Sequence, residues 1–392
     1  MFLIILFLVV KFDFFYLPNS IRQVEGGLYQ KRIDFSPYYF ILCLLFILVS
    51  GLSYRVGSDI GKYMYDFKHL QFQDFSLKEL SLSDRQPFWI LSQLICKTLC
   101  DSFVLFKLFC SIFVNVVIFI FIKNNTKYIF TSILLYYVIM SFDINFNILR
   151  QSFAISTFLI AFSFLEKKKI LLSLLAIFSS IMFHNSAFVL LPVPLLLLFD
   201  VRKYFKTAIV SVWLISFIII LSPTANFLLT LFLGSSDETF VALSAEYLQG
   251  DYGSSTFSII KITLNLLYLT FISYFFKKSG ASNMQLSLFF CFIICYIASY
   301  SIPILGRIKF YFTIFYIISF TEAIYFVART YIKHNSRKLL ISIILIVTIL
   351  DSSKHYFIYN ERLGAYNYVQ YYPYYSVINP KIDNERERLV EY

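Results

Sequence analysis

Asn145–Ser186 reads NFNILRQSFAISTFLIAFSFLEKKKILLSLLAIFSSIMFHNS. Two apolar runs, roughly 148–165 and 170–184, flank a lysine clamp of Lys167, Lys168 and Lys169. Neither run alternates polar with apolar residues, as the ~10-residue segments of a membrane barrel do. Each approaches the ~20 residues an α-helix needs to cross a bilayer. Clustered lysines favour the cytoplasmic side. Arg150, at the head of the first run, and His184, at the foot of the second, then return to one outer face.

The same pattern recurs in both directions. Of 392 residues, 59% are hydrophobic and 15% charged, with a mean hydropathy of +0.72; a soluble domain carries about 25% charged residues. The expected fold is all-α: a polytopic transmembrane helical bundle of about twelve spans, forming a single integral membrane domain over 1–392. The first segment, MFLIILFLVVKFDFF, lacks a positive n-region and a small-residue cleavage site, so it reads as membrane segment rather than leader. The further spans are expected near 37–53, 103–122, 127–142, 148–165, 170–184, 186–199, 206–222, 258–276, 282–301, 308–328 and 338–351. Residues 88–100 are amphipathic and too short to cross, and read as an interfacial helix.

Topology follows from charge. With 18–36 inside, Lys123/Lys127, Lys167–Lys169, Arg202/Lys203/Lys206, Lys277/Lys278 and Arg329/Lys333/Arg337/Lys338 all fall inside. The net charge of +11 therefore reflects membrane topology and does not indicate nucleic acid. The outer face carries the loop and interfacial helix of 54–100, the Asn145–Gln151 mouth, His184, the loop 223–257, Pro303–Arg307 and the aromatic tail 352–392. Both termini are expected outside.

Several chemistries find no motif. There is no DxD, HExxH or GxSxG, and GSDIGK (57–62) has a P-loop's ends but the wrong spacing. The six cysteines include Cys96/Cys100 and Cys291/Cys295 at i, i+4, without a CxxC pair or a nearby histidine. Neither zinc nor a disulfide framework is indicated, and no metal or cofactor is expected.

What remains gathers on the outer face. Arg55, Asp59 and Tyr63 are spaced i, i+4, i+8, which a helix would align on one face. Arg150 and Gln151 open one span, His184 closes another, and Arg307 opens a third in PILGRIKFYF. Each has a bland reading as a snorkelling or interfacial residue. Together, three arginines and a histidine lie opposite most of the other basic residues. Guanidinium forks suit phosphate oxygens, so an anionic lipid head group, and a diphosphate in particular, fits them. Arginines would stabilise a diphosphate leaving group as its charge grows. A histidine could orient or deprotonate an attacking hydroxyl.

RVGSDIGKYMYDF, NILRQSFAISTFLIAFSFLEKKK, FHNSAFVLLP and GRIKFYF, in this order, resemble the EpsG family of exopolysaccharide proteins, allied to Wzy-type polymerases of O-antigen and capsule repeats. The resemblance spans roughly residues 40–330, and the tail YVQYYPYY adds to it. It implies a metal-independent glycosyltransferase in the bacterial plasma (inner) membrane. The growing glycan on undecaprenyl diphosphate would pass to an incoming lipid-linked repeat unit at the outer face. Mapped onto matching positions, the resemblance implies diphosphate binding by Arg150, Arg307 and Arg55, and catalytic roles for His184, Arg150 and Asp59. It implies glycan binding by Gln151, Tyr63 and Tyr247. The implied partners are the undecaprenyl-diphosphate-linked oligosaccharide, membrane lipid, a flippase and a chain-length regulator. A two-carboxylate scheme would need a partner for Asp59, with Glu238, Glu246 and Asp251 available in a long loop. Direct displacement of the diphosphate needs less acid assistance.

Three other readings compete. A lipid-linked oligosaccharide flippase or polysaccharide exporter would carry basic residues through the membrane depth and on both faces. A membrane O-acyltransferase would need a cytoplasmic acyl-donor site, where only His334 stands among lysines. A structural assembly subunit would tolerate loss of the outer arginines and histidine.

Overall fold

Long apolar runs without internal proline give helices, and the chain breaks where polar or proline residues intervene. The structure, a computed structural model, describes residues 1–14, 36–75, 85–221, 256–300, 304–360, 364–382 and 384. Its helices are α1 (Phe2–Leu8), α2 (Ser36–Gly51), α3 (Ile60–His69), α4 (Pro87–Leu99), α5 (Phe103–Asn125), α6 (Ile129–Ile139), α7 (Leu149–Glu166), α8 (Ile170–Phe183), α9 (Phe205–Leu221), α10 (Thr256–Lys278), α11 (Asn283–Ala298), α12 (Ile304–Tyr331) and α13 (His334–Ser353). The only regular sheet among the described residues is the two-residue pair β1 (Tyr359–Asn360) and β2 (Ala365–Tyr366). The all-α expectation holds. Phe103–Asn125, Leu305–Tyr331 and His334–Phe357 are long and apolar enough to cross a membrane, and shorter apolar helices cover other expected spans.

Two local differences from the expectation stand out. The span expected at 186–199 is two short 3₁₀ segments, Asn185–Leu190 and Val193–Leu198. Pro192 and Pro194 each lack the N–H that a continuous α-helix needs. The polar loop after α2 contains a helix, α3, whose Ile60, Tyr63 and Phe67 are buried on one face. The amphipathic helix expected at 88–100 forms as α4; 13 residues reach only ~20 Å.

The chain divides into two compact units, Met1–Ala187 with Ala328–Tyr392, and Phe188–Val327. In the first unit α7 is buried almost all round, from Leu149 to Leu165. It forms an antiparallel hairpin with α8, and Ser180 Oγ donates to the Ala154 carbonyl at 2.7 Å. Ring contacts Phe113–Phe153 and Phe121–Phe162 set α5 parallel to α7. Gly51 lets α2 approach α5, because a Cβ there would lie 3.0 Å from Leu108 Cα. Between these helices runs a polar chain. Asn115 Nδ2 donates to Asn145 Oδ1 at 2.7 Å, Asn145 Nδ2 donates to the Tyr136 hydroxyl at 3.2 Å, and Ser111 Oγ donates to the Ile47 carbonyl at 2.9 Å.

Basic residues gather at one end of this unit. Lys11 bonds the Tyr38 hydroxyl, Lys123 lies over Tyr39, and Arg329 lies over Tyr128. Asp13 accepts the N–H of Thr131 in the first turn of α6, at 2.6 Å, where the helix dipole favours a carboxylate. This is the end expected to face the cytoplasm. The opposite end carries the candidate site.

In the second unit α11 packs against α9 and α10. Its start carries a complete capping box, Ser282 with Gln285. Asn283 ties it to Phe199 and Arg202, and Trp213 Nε1 donates to Thr270 at 3.0 Å.

Candidate functional site

Three stretches meet at this end of the first unit: the loop 52–63, the turn 143–151, and the tail 367–377. Asp143–Asn147 forms a π-turn between α6 and α7. Such turns are frequent at functional sites. Asn147 joins all three stretches. Its Oδ1 accepts the N–H of Ser58 at 3.0 Å. Its Nδ2 donates to Gln370 Oε1 at 3.0 Å, to Asp143 Oδ1 at 3.3 Å and to the Tyr371 hydroxyl. The amide can only point this way, since the Ser58 N–H is a donor and the Asp143 carboxylate an acceptor. Tyr371 in turn donates to Asp143 Oδ1 at 2.8 Å. Burial, and next the charge of Asp143, push the Tyr371 phenol well up, so it remains a donor.

Backbone bonds seat the tail against the loop. Gly57 N donates to the Gln370 carbonyl at 2.9 Å, Tyr54 N to Tyr375 at 2.8 Å, and Val377 N to Leu52 at 2.9 Å. Gly57 has φ +107, and a Cβ there would lie 2.2 Å from the Phe146 carbonyl oxygen. Only glycine lets the loop approach the turn so closely.

The expected site residues fall as follows. Arg55, Asp59 and Tyr63 do not share a helix face. Only Tyr63 lies within α3, Asp59 is its N-cap, and Arg55 sits in a bend at φ +50. The glycine-bearing stretch RVGSD winds through left-handed backbone, so helical spacing does not apply to it. A non-glycine residue in that region costs ~1–2 kcal/mol, a strain that tends to collect at functional sites.

Tyr63, Asp59 and Arg150 nonetheless converge. The Tyr63 phenol is pushed up to about 12 by burial, against which the charge of Arg150 acts, while the Asp59 charge adds to the rise. Hydrogen bonds from the Arg150 side chain and from its backbone N–H, in the first turn of α7, bear on the same phenol oxygen. Gln151, next in sequence, is buried at 2% exposure.

His184 caps the end of α8. Ser180 meets Ala154, so one turn further along this antiparallel hairpin His184 comes level with Arg150. A line of ring contacts joins the two ends of the site. Tyr63 meets Trp89 at 5.6 Å, Trp89 meets Phe153 at 5.9 Å, and Phe153 meets Phe183 at 5.1 Å. His184 Nδ1 accepts the backbone N–H of Ser186 at 3.2 Å and contacts Ser186 Oγ at 2.7 Å. A backbone N–H can only donate, so the neutral ring carries its proton on Nε2. That geometry suits a donor that orients a hydroxyl or binds an anion better than a base.

Arg307 belongs to the second unit, in the first turns of α12, where it is exposed. Lys309 is half-buried there and lies 5.6 Å from the Tyr296 ring centre. Tyr247 and Tyr252, with Glu238, Glu246 and Asp251, lie outside the described residues, as does most of the loop 223–257. Among the described residues no group of three or more His, Cys, Asp or Glu side chains could hold a metal ion.

The sequence reading missed Asp143, Asn147, Gln370, Tyr371 and Lys107. Lys107 is only 2% exposed and donates to the Ser53 carbonyl at 3.3 Å and to Ser53 Oγ. Its ammonium lies 5.7 Å from the Phe146 ring centre, beneath the turn. A lone lysine inside an apolar run was the available signal, because a charge at membrane depth is costly without a partner. Asp143 and Tyr371, 228 positions apart, left no local pattern.

The sequence model of the EpsG family matches residues 37–376. Neither a curated protein nor a solved structure matches the chain.

Proposed function

This chain belongs to the EpsG family, and from that premise we propose that it is a polysaccharide repeat-unit polymerase. Family membership and the apolar helices make it a membrane protein of polysaccharide biosynthesis. The proposed reaction moves a growing glycan from undecaprenyl diphosphate to a hydroxyl of an incoming lipid-linked repeat at the outer face of the bacterial plasma membrane. O-antigen, capsule or exopolysaccharide would be the product class. The observation that carries this reading is the meeting of Arg150 with Asp59 and Tyr63, at a helix N-terminus level with His184.

A helix N-terminus and a guanidinium together form an anion site. Arg150 binds the diphosphate and stabilises the charge that grows as it leaves. Arg55 stands in the adjoining loop as a second cation. The diphosphate role of Arg307 rests on the charge pattern of the sequence. His184 orients the acceptor through Nε2–H. Asp59 contacts sugar hydroxyls or holds a neighbouring cation, and Gln151, Tyr63 and Tyr247 contact glycan. Twelve spans with both termini outside, and assembly with a flippase and a chain-length regulator, complete the proposal.

Arg150→Ala tests it. Long-chain glycan should fall by ~10²-fold or more, while single lipid-linked repeats accumulate in the outer leaflet. Arg150→Lys should recover little, because a point charge cannot reproduce the planar fork. Polymer of normal length in the alanine variant would overturn the assignment. Intermediates held in the cytoplasmic leaflet of a deletion strain would favour a flippase instead.

A further inference from the structure

We infer that Asp143 is the catalytic base of the acceptor subsite, and that Phe142, Tyr356 and Tyr371 form the wall on which the acceptor sugar stacks. This rests on the polymerase reading and supplies a group the sequence-derived site lacks. With Nδ1 of His184 held by Ser186, the acceptor proton needs another destination.

The geometry at Asp143 is that of an aimed carboxylate. Oδ1 takes both anchoring bonds, from Tyr371 at 2.8 Å and from Asn147 at 3.3 Å. Among the described residues Oδ2 takes none, and the side chain is half-buried rather than enclosed. One oxygen fixes the orientation of the carboxylate and leaves the other for a substrate donor. The same Asn147 amide reaches the Ser58 N–H, one residue before Asp59. Asp143 is thus tied by a single side chain to the loop that meets Arg150.

The surroundings suit a sugar. Phe142 lies 5.5 Å from Tyr356 and 5.3 Å from Tyr371, and Tyr356 lies 5.8 Å from Tyr371, centre to centre. All three rings are half-buried. Aromatic faces accept the C–H face of a sugar, and a carboxylate beside them accepts hydrogen bonds from its hydroxyls. A few placed polar groups among aromatic walls is the usual build of a small-molecule site.

The step balances without a metal or other co-reactant. The acceptor oxygen forms a bond to the anomeric carbon as the bond from that carbon to the diphosphate oxygen breaks. The bonding pair leaves on undecaprenyl diphosphate. The acceptor proton passes to Asp143 Oδ2 and is then released to water.

The test uses the purified full chain and single lipid-linked repeats extracted from a deletion strain. Asp143→Asn keeps an oxygen for Tyr371 and Asn147 but removes the base. Its kcat should fall by ~10²–10⁴-fold with the acceptor KM within about threefold of wild type, and the low-pH limb of the kcat profile should disappear. Tyr371→Phe loosens the anchor and should lower kcat by a smaller factor with that limb retained. Wild-type kcat in Asp143→Asn, or a raised KM at unchanged kcat, would overturn the base assignment. Unchanged melting of the variants, measured in detergent, separates these outcomes from misfolding. If the wild-type chain itself fails to extend the extracted repeats, the polymerase reading fails, and that result is distinct from either variant outcome.

Discussion

Asn147 shows how one side chain organises the site. Its four hydrogen-bond partners come from the loop 52–63, its own turn and the tail. Removing one partner of a buried polar group costs ~1–3 kcal/mol, more than the ~1 kcal/mol a typical bond contributes. Such a group therefore specifies the arrangement more than it stabilises it. Tyr63 gives a measurable consequence at the same scale. Burial disfavours the phenolate and pushes the Tyr63 phenol from its ordinary 10.0 up to about 12 in the fold. The folded pKa is the higher, so this contribution is complete below about pH 10 and is lost as pH rises through about 12. Two pH units correspond to roughly 3 kcal/mol. Tyr63→Phe should flatten the fall in melting temperature over this alkaline range. An identical slope in both proteins would show that Tyr63 does not titrate as a buried group.

Among the elements, the π-turn 143–147 decides the site. It redirects the chain between α6 and α7 and presents Asp143 and Asn147 to the tail while Arg150 opens α7. The loop that docks on it depends on Gly57. Gly57→Ala places a Cβ about 2.2 Å from the Phe146 carbonyl and demands φ +107 of an L-residue. Neither backbone can yield cheaply, so we expect a loss of ~2 kcal/mol or more and the loss of long-chain glycan. Unchanged melting and unchanged polymer length in Gly57→Ala would show that the loop does not sit against the turn in the working protein. The helix α3 illustrates why spacing alone misled. Asp59 and Tyr63 do stand one turn apart, with Tyr63 N bonded to the Asp59 carbonyl at 3.1 Å. Arg55 lies before the helix begins, where left-handed backbone resets every direction.

For the whole molecule, the prediction concerns sidedness. In a cysteine-free background, a single cysteine at Ser186 should react with an impermeant maleimide from outside, and one at Lys168 only after the membrane is opened. Reversed labelling would invert the proposed topology and remove the outer-face site. The sequence on its own carries the helical membrane class, the family, the α7–α8 hairpin and the sidedness expected of its ends. The membrane class and the sidedness are carried by contiguous apolar runs and by lysines beside them, readable in windows of ~20 residues, and the family by motifs met in order along the chain. It also singled out Arg150 and His184, because isolated basic residues at the ends of apolar runs are visible locally. Tertiary structure alone decided that the tail is part of the site, that Asp143 faces Tyr371, and that Lys107 lies beneath the turn. Those contacts join residues 143 with 371, and 53 with 107. Hydrogen bonds between such distant positions leave no periodicity in the chain, so only the folded backbone brings them into register.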